Sequence, residues 1–538
     1  MSTTTADKIR SVPPWVDRVA DWCNPILIKE VRQSLKSRQF VVTFFLLVAG
    51  AWLTAVFGLL MWGERIEYEA AGRDFFFYFY IALAIATLII VPFNAYLSLK
   101  SERDFLTYEV LSVTTLQPGQ IVNGKLLAAM VQLFIYYSAI TPFIAFASTM
   151  QGFDTALAAY LLVLSFLVSL CLCCISVTAS TLTNNRSQQA ALAVGLLMGV
   201  IGAMWGMAIL AYTATYFAPL PFDNAEFWLG NGLFLVVATS YFILLRQIAI
   251  AQLTFETDNR STAIRVTMTA QFLLFWIVTF VVYATVDLGR IDQEMFFAYV
   301  IMSCVHWGIF GLVMTAEPDA LSRRIRRHIG GSGVWRLIKT PFMPGGARGY
   351  ILLLMNVLLI FAFYLIGVAA FGDGRRGGTG IAPNFVGRLS LEMSQFDAEM
   401  RGVWAICCYL VMYCGINTAF ARWGHAAGVG IRPGHARLVT FILMMACVAG
   451  PQLLLSLEYF RQYRRSYHAM QLFDPFTTVQ RVISGYSDIR YVIPVLSTFA
   501  VLAVFLNFIP MLRGISTILN AGKSDQVARE ADSPFIDE

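Results

Sequence analysis

Charge is what this chain has least of. Asp, Glu, Lys and Arg together make 13% of its 538 residues, where a soluble domain carries about 25%. Half the usual charge cannot cover the three or four water-facing domains that the length would otherwise suggest. Cysteine is scarce too, nine in all, which excludes a disulfide framework. Eight of them (Cys171, Cys173, Cys174, Cys304, Cys407, Cys408, Cys414, Cys447) lie inside apolar runs and read as small helix-packing residues. Cys171, Cys173 and Cys174 have no His or carboxylate beside them, so no metal site is assigned. Apolar residues make 58%, which excludes a disordered chain and a nucleic-acid binder. The solvent for most of this sequence is lipid.

What is present is long apolar runs. A spanning helix needs roughly 20 mostly apolar residues. Runs of that kind occupy 40–62, 75–99, 126–149, 156–182, 190–217, 227–250, 267–287, 295–315, 350–371, 402–421, 438–457 and 491–512. Their length predicts helices; barrel strands would alternate every second residue over about ten. The expected fold is an all-α polytopic membrane protein with about 12 transmembrane helices. Its parts are an interfacial segment 1–39, a six-span domain 40–250, a connector 251–266, a second six-span domain 267–512 and a tail 513–538.

Basic residues orient the chain. With the N-terminus inside, the cytoplasmic segments hold 27 of the 39 Lys and Arg and all seven lysines, whereas acidic residues divide 16 inside and 17 outside. This positive-inside bias predicts both termini cytoplasmic in a multi-pass cell (inner or plasma) membrane protein. The outer segment 458–490 runs against the trend with five arginines and is long enough to form a small folded element. The first apolar run is too long for a signal-peptide core, so the chain is expected to insert on its own first span.

No Asp, Glu, Lys or Arg sits near the middle of a span. Proton-coupled carriers place such groups there; a sodium-driven carrier can use backbone carbonyls instead. His306 is the single ionisable group at that depth and reads as a helix-to-helix hydrogen bond. Gly195-x-x-x-Gly199 and Gly202-x-x-x-Gly206 predict close backbone approach, within the chain or across a dimer face. Pro92 and Pro142 are expected to kink spans two and three.

Residues 15–39 differ from the spans. Trp15, Val19 and Trp22, then Ile28, Val31 and Leu35 after Pro25, recur at helical spacing, with Lys29, Arg32, Gln33, Lys36 and Arg38 on other faces. A basic amphipathic helix with tryptophans lies in the membrane interface. Further on, Gly119 to Lys125 nearly matches a phosphate-binding loop, but Leu126 stands where the magnesium-holding hydroxyl belongs and no strand precedes it. No nucleotide site is read there, and no kinase, hydrolase or HExxH motif occurs elsewhere. No catalytic residue, metal or cofactor is assigned.

Residues 102–127 run ERDFLTYEVLSVTTLQPGQIVNGKLL. This resembles the inner-loop signature of the ABC-2 type transporter permeases, close to ERERGTLELLLLTPLSPWEIVLGKLL. Glu102, Arg103, Thr107, Glu109, Leu111, Thr114, Leu116, Pro118, Ile121, Val122, Gly124, Lys125, Leu126 and Leu127 match, while Leu106 replaces a Gly and Thr115 a Pro. The preceding NPILIKEVRQSLKSRQF, residues 24–40, is similar to the family's helix leading into the membrane, through Asn24, Pro25, Lys29, Glu30 and Arg32. The resemblance covers about residues 20–250.

The resemblance implies a permease subunit paired with a separate ABC-type ATP-binding subunit on the cytoplasmic face. A short coupling helix at about 101–117 would contact that ATPase, with Glu102, Arg103, Asp104, Thr107, Glu109 and Leu111 on it. Export is the commoner direction among similar permeases. The second half shows no such motif, yet it too places a basic inner loop, 316–349, between its second and third spans. That loop reads as a lipid contact or as a degenerate docking loop. Two other functions remain open at this point: a secondary transporter needing no ATPase, and a polytopic membrane enzyme using His425 and His435. A homodimer is possible, the transported substrate is unknown, and nucleic acid is not an expected partner.

Overall fold

Inside lipid no water is available for backbone N–H and C=O groups, so each apolar run must satisfy them internally as a helix. The computed structural model describes residues 25–63, 66, 68–104, 116–183, 185–255, 257–285, 293–327, 329–330, 332–371, 398–426, 433–456, 467–484 and 491–531. Among them there are helices and no strands, and twelve helices are long and apolar enough to span a membrane. The protein is an all-α polytopic membrane protein. The chain divides after Thr254 into two units.

Unit 1 begins with α1 (Pro25–Leu35) and α2 (Arg38–Trp62). Next comes α3, built of Ala71–Ala84, a π-turn Ile85–Ile90 and Val91–Asp104. Then follow α4 (Pro118–Ser148), α5 (Thr155–Thr181), α6 (Arg186–Tyr216) and α7 (Ala225–Leu253). The axis is α3: 61% of its most apolar stretch is buried, against 11% for α2, whose Phe45, Leu46, Phe57 and Leu60 point outward. A proline inside a helix lacks the N–H for its i−4 bond. At Pro92 the preceding π-turn takes up that mismatch. Lipid tails are as apolar as leucine, so these helices are held by close contact and interhelical hydrogen bonds, the latter worth about 0.6 kcal/mol each on average. Ser169 donates to the Thr87 carbonyl within the π-turn. Tyr137 bonds Ser165 at 2.7 Å, and Tyr160 donates to Asn231 at 2.7 Å.

Unit 2 contains α8 (Thr262–Thr285), α9 (Gln293–Thr315), the short α10 (Arg323–Arg327) and α11 (Gly333–Lys339), and α12 (Gly346–Phe371). It continues with α13 (Ala398–Ala426), α14 (Pro433–Ser456), α15 (Pro475–Ile483) and α16 (Val492–Ala531). Here α13 is central, and Asn417 on it donates to the Leu312 carbonyl and to Thr315 on α9 while accepting from Thr440 on α14. His306 on α9 is buried, with its ring against Phe310 at 5.0 Å and Trp307 at 5.5 Å. Within the segment 458–490, the described residues 467–484 fold: Asp474 caps α15, and Tyr467 bonds Thr478 at 2.9 Å. Burial pushes the Tyr467 hydroxyl up to about 12. The segment expected as a tail continues α16 as far as Ala531.

The two units share part of their order of helix contacts. In unit 1, α3 packs on α4 and α5, α4 on α2, α5 and α7, and α5 on α6 and α7. In unit 2, α9 packs on α12 and α13, α12 on α8, α13 and α16, and α13 on α14 and α16. Each of these pairs has its counterpart in chain order in the second set, whereas the packing of α3 on α2 and α6 in unit 1 has none of comparable extent in unit 2. One expectation fails: a Cβ placed on Gly195, Gly199, Gly202 or Gly206 of α6 would meet nothing within 4 Å, so no helix of the described residues uses that stripe. The close approach foreseen within the chain is absent because α6 turns its other face, with Leu196, Val200 and Met207, into the unit.

Candidate coupling site

The two sequence segments that carry the family resemblance converge at one end of unit 1. Ile26 and Glu30 lie one turn apart on α1 and are its two buried residues, facing α4. A carboxylate on a buried face needs partners. Lys125 supplies the charge: its side chain is 2% exposed, and its Nζ reaches Glu30 Oε1 at 3.1 Å and Glu102 Oε2 at 3.2 Å. Lys125 Nζ also donates to Ser98 Oγ at 2.8 Å, which in turn donates to Glu30 Oε2 at 3.0 Å. Ser98 and Glu102 are one turn apart on α3. Lys29, half exposed, closes the cluster with Glu102 Oε1 at 2.9 Å. Two carboxylates thus meet two ammonium groups.

Local chemistry sets the frame around this cluster. Pro118 is the first residue of α4, where a missing N–H costs nothing. Gln117 and Gln120 form a reciprocal cap there. Gly124 is buried beside Lys125. Arg103 turns away from the cluster and donates to the Ser180 carbonyl at 2.8 Å, in the last turn of α5, where carbonyls lack intrahelical partners. A cavity of about 280 Å³, lined in part by Gln33, Ser34, Asn94 and Gln132, adjoins Lys125 and Glu102. One side chain, Lys125, therefore ties α1, the end of α3 and the start of α4 together.

The sequence-predicted residues sort accordingly. Lys29, Glu30, Glu102 and Lys125 are brought together; Pro118 and Gly124 frame them; Pro25 and Arg32 are exposed on α1. Glu102 and Arg103 face into the helices and present no free charged surface. The last turn of α3 extends through Asp104. Trp15, Trp22, Asn24, Thr107, Glu109 and Leu111, with the side chain of Asp104, lie outside the described residues.

Unit 2 has a buried ionic cluster at the corresponding connector, which sequence reasoning missed by counting its arginines as loop charges. Arg265 at the start of α8 is 1% exposed. It pairs with Glu317 at 2.7 Å and donates to the carbonyls of Pro341, Met343 and Gly345. Arg348 at the start of α12, also 1% exposed, donates to the carbonyls of Pro344 and Asp319 at 2.6 and 2.8 Å. Asp319 accepts from the Ala347 N–H at 2.9 Å. Gly345 is required here: its φ is +131°, and a Cβ would lie 2.3 Å from Arg348 Nη2. A signal for these groups was present. Ile121, Val122, Lys125, Ala128 and Ala129 follow helical spacing and are all buried, as are Arg265, Met268, Phe272 and Trp276. A basic residue in register with an apolar stripe is a buried one.

No family model matches the chain, and neither a curated protein nor a solved structure matches it.

Proposed function

We propose that this chain is the membrane-spanning permease subunit of an ATP-driven transporter of the ABC-2 type, working as an exporter in the cell membrane with both termini cytoplasmic. Hydrolysis takes place in a separate ATP-binding subunit, which bears on the coupling helix at about 101–117 between the second and third spans. The observation that supports this reading most is the Lys125 cluster. The two stretches on which the family resemblance rests are far apart in sequence, and their charged residues meet: Lys29 and Glu30 from one, Glu102 and Lys125 from the other.

The cluster also suggests how force travels. A push on the coupling helix arrives at the last turn of α3 and the first turns of α4. Their ion pairs and Arg103 link those ends to α1 and α5, so the helices move as one body instead of fraying separately. α1, with Ile28 exposed, would slide in the lipid interface as they tilt. The partly shared order of helix contacts supports reading unit 2 as a diverged second permease unit in the same chain. The open glycine stripe of α6 favours a second copy meeting the first there.

Co-expression with the ATP-binding-cassette ATPases of the source genome, followed by affinity purification in mild detergent, tests the proposal. One ATPase is expected to remain bound in stoichiometric amount, with hydrolysis above its free rate. Failure of all of them to co-purify would overturn it.

A further inference from the structure

A cavity in unit 2 has no part in the reading above. It measures about 660 Å³ and lies between α12, α13 and α16, at the end of the unit that carries the 316–349 connector. Its wall is apolar, with Ile416, Phe420, Leu506 and Pro510 among the lining residues. Its charges are Arg348, Arg422 and Arg513 against the single carboxylate of Asp319. Among the described residues none of the three arginines has a salt bridge, so the cavity carries an excess of two positive charges.

These arginines are held in place, which sets them apart from solvated loop charges. Pro510 has no N–H, so the Leu506 carbonyl of α16 loses its intrahelical donor. Arg422 Nη2 points at that carbonyl at 3.4 Å and donates to Asn507 Oδ1 at 2.8 Å. Asn507 is itself fixed, its Nδ2 donating to the carbonyls of Gly415 and Ala503 at 3.0 and 2.8 Å. Arg422 Nε is buried with no hydrogen-bond partner among the described residues. Arg348, wholly enclosed, is anchored by two carbonyls. Arg513 and Trp423 are exposed at the rim. An uncompensated guanidinium pair inside an apolar wall is costly without a counter-ion. Guanidinium groups match phosphate oxygens in geometry and charge, and a rim of Trp and Arg marks the depth of lipid headgroups.

We propose that this cavity binds the phosphodiester headgroup of an anionic phospholipid, the headgroup held by Arg422 and Arg513 with the enclosed Arg348 lending its charge from behind the wall, and an acyl chain lying along Ile416, Phe420 and Leu506. The assignment does not depend on the transport reading.

The full chain, purified and stripped of lipid in detergent, is titrated with dioleoylphosphatidylglycerol, with the zwitterionic dioleoylphosphatidylcholine and with inorganic phosphate. Binding is followed by native mass spectrometry and thermal shift. Phosphatidylglycerol is expected to bind one per chain, well above phosphatidylcholine and phosphate. Arg422→Gln with Arg513→Gln should weaken it about thirtyfold. Arg513→Gln alone, at an exposed position, should weaken it several-fold without disturbing the fold. Arg323→Gln with Arg327→Gln, which removes two exposed charges from α10, should leave it unchanged. Equal retention by all variants, an equal loss in the α10 control, or a response to inorganic phosphate as large as to phosphatidylglycerol each overturns the proposal.

Discussion

Replacing Lys125 by methionine keeps the length of the side chain and removes its charge. The consequence follows from the geometry. Lys125 Nζ lies 3.1 Å from Glu30 and 3.2 Å from Glu102, and its side chain is 2% exposed. Without it two nearly buried carboxylates face each other across Ser98. Breaking a buried pair by removing one partner costs about 3–5 kcal/mol. Lys29 still holds Glu102 at 2.9 Å, which places the expected loss near the lower end, about 3 kcal/mol. At about 2–4 °C per kcal/mol for a unit of this size, the Tm in detergent should fall by roughly 6–12 °C. Lys29→Met removes only a half-exposed pair, worth about 0.2–1 kcal/mol, and should move Tm by no more than a few degrees. Adding Glu30→Gln to Lys125→Met should recover part of the loss, because a neutral amide no longer opposes Glu102. The reasoning is refuted if Lys125→Met melts with the wild type, or if Lys29→Met costs as much.

In unit 2, Glu317→Gln should destabilise by about 3–5 kcal/mol, read as a Tm drop, since it strands the enclosed Arg265 without its counter-charge. Gly345→Ala should lower Tm by the equivalent of about 1–3 kcal/mol from backbone strain alone, and by more because the new Cβ meets Arg348 Nη2. Glu109→Lys should leave membrane insertion and Tm unchanged while abolishing co-purification of the ATPase; unchanged co-purification removes Glu109 from the docking role. Glu102→Lys, by contrast, should fail first as a folding defect, seen as aggregation on size exclusion, because it sets a third ammonium against Lys125 and Lys29.

The spans were legible because lipid imposes one rule on every residue of a run. The run 156–182 becomes Thr155–Thr181, and 295–315 becomes Gln293–Thr315. The reading slipped where a helix carries charge. α4 starts at Pro118, eight residues before the apolar run at 126, because Gln120, Asn123 and Lys125 are polar by type and yet helical in context. The same blindness hid the site. Composition treats Glu30, Lys125 and Arg265 as water-facing, and only their pairing with residues distant in sequence makes burial tolerable. The π-turn at Ile85–Ile90 likewise has no local sequence signal beyond the proline that follows it. The glycine stripe of α6 was recognisable as a close-approach surface, but its spacing does not say whose backbone approaches.

The account treats this protein as a gate moved from outside. The most direct measurement reconstitutes the purified chain in sealed liposomes, alone and with the ATPase that co-purifies with it, and follows ATP hydrolysis. The chain alone should hydrolyse nothing, with turnover appearing only in the two-protein vesicles. Hydrolysis by the chain alone contradicts the account.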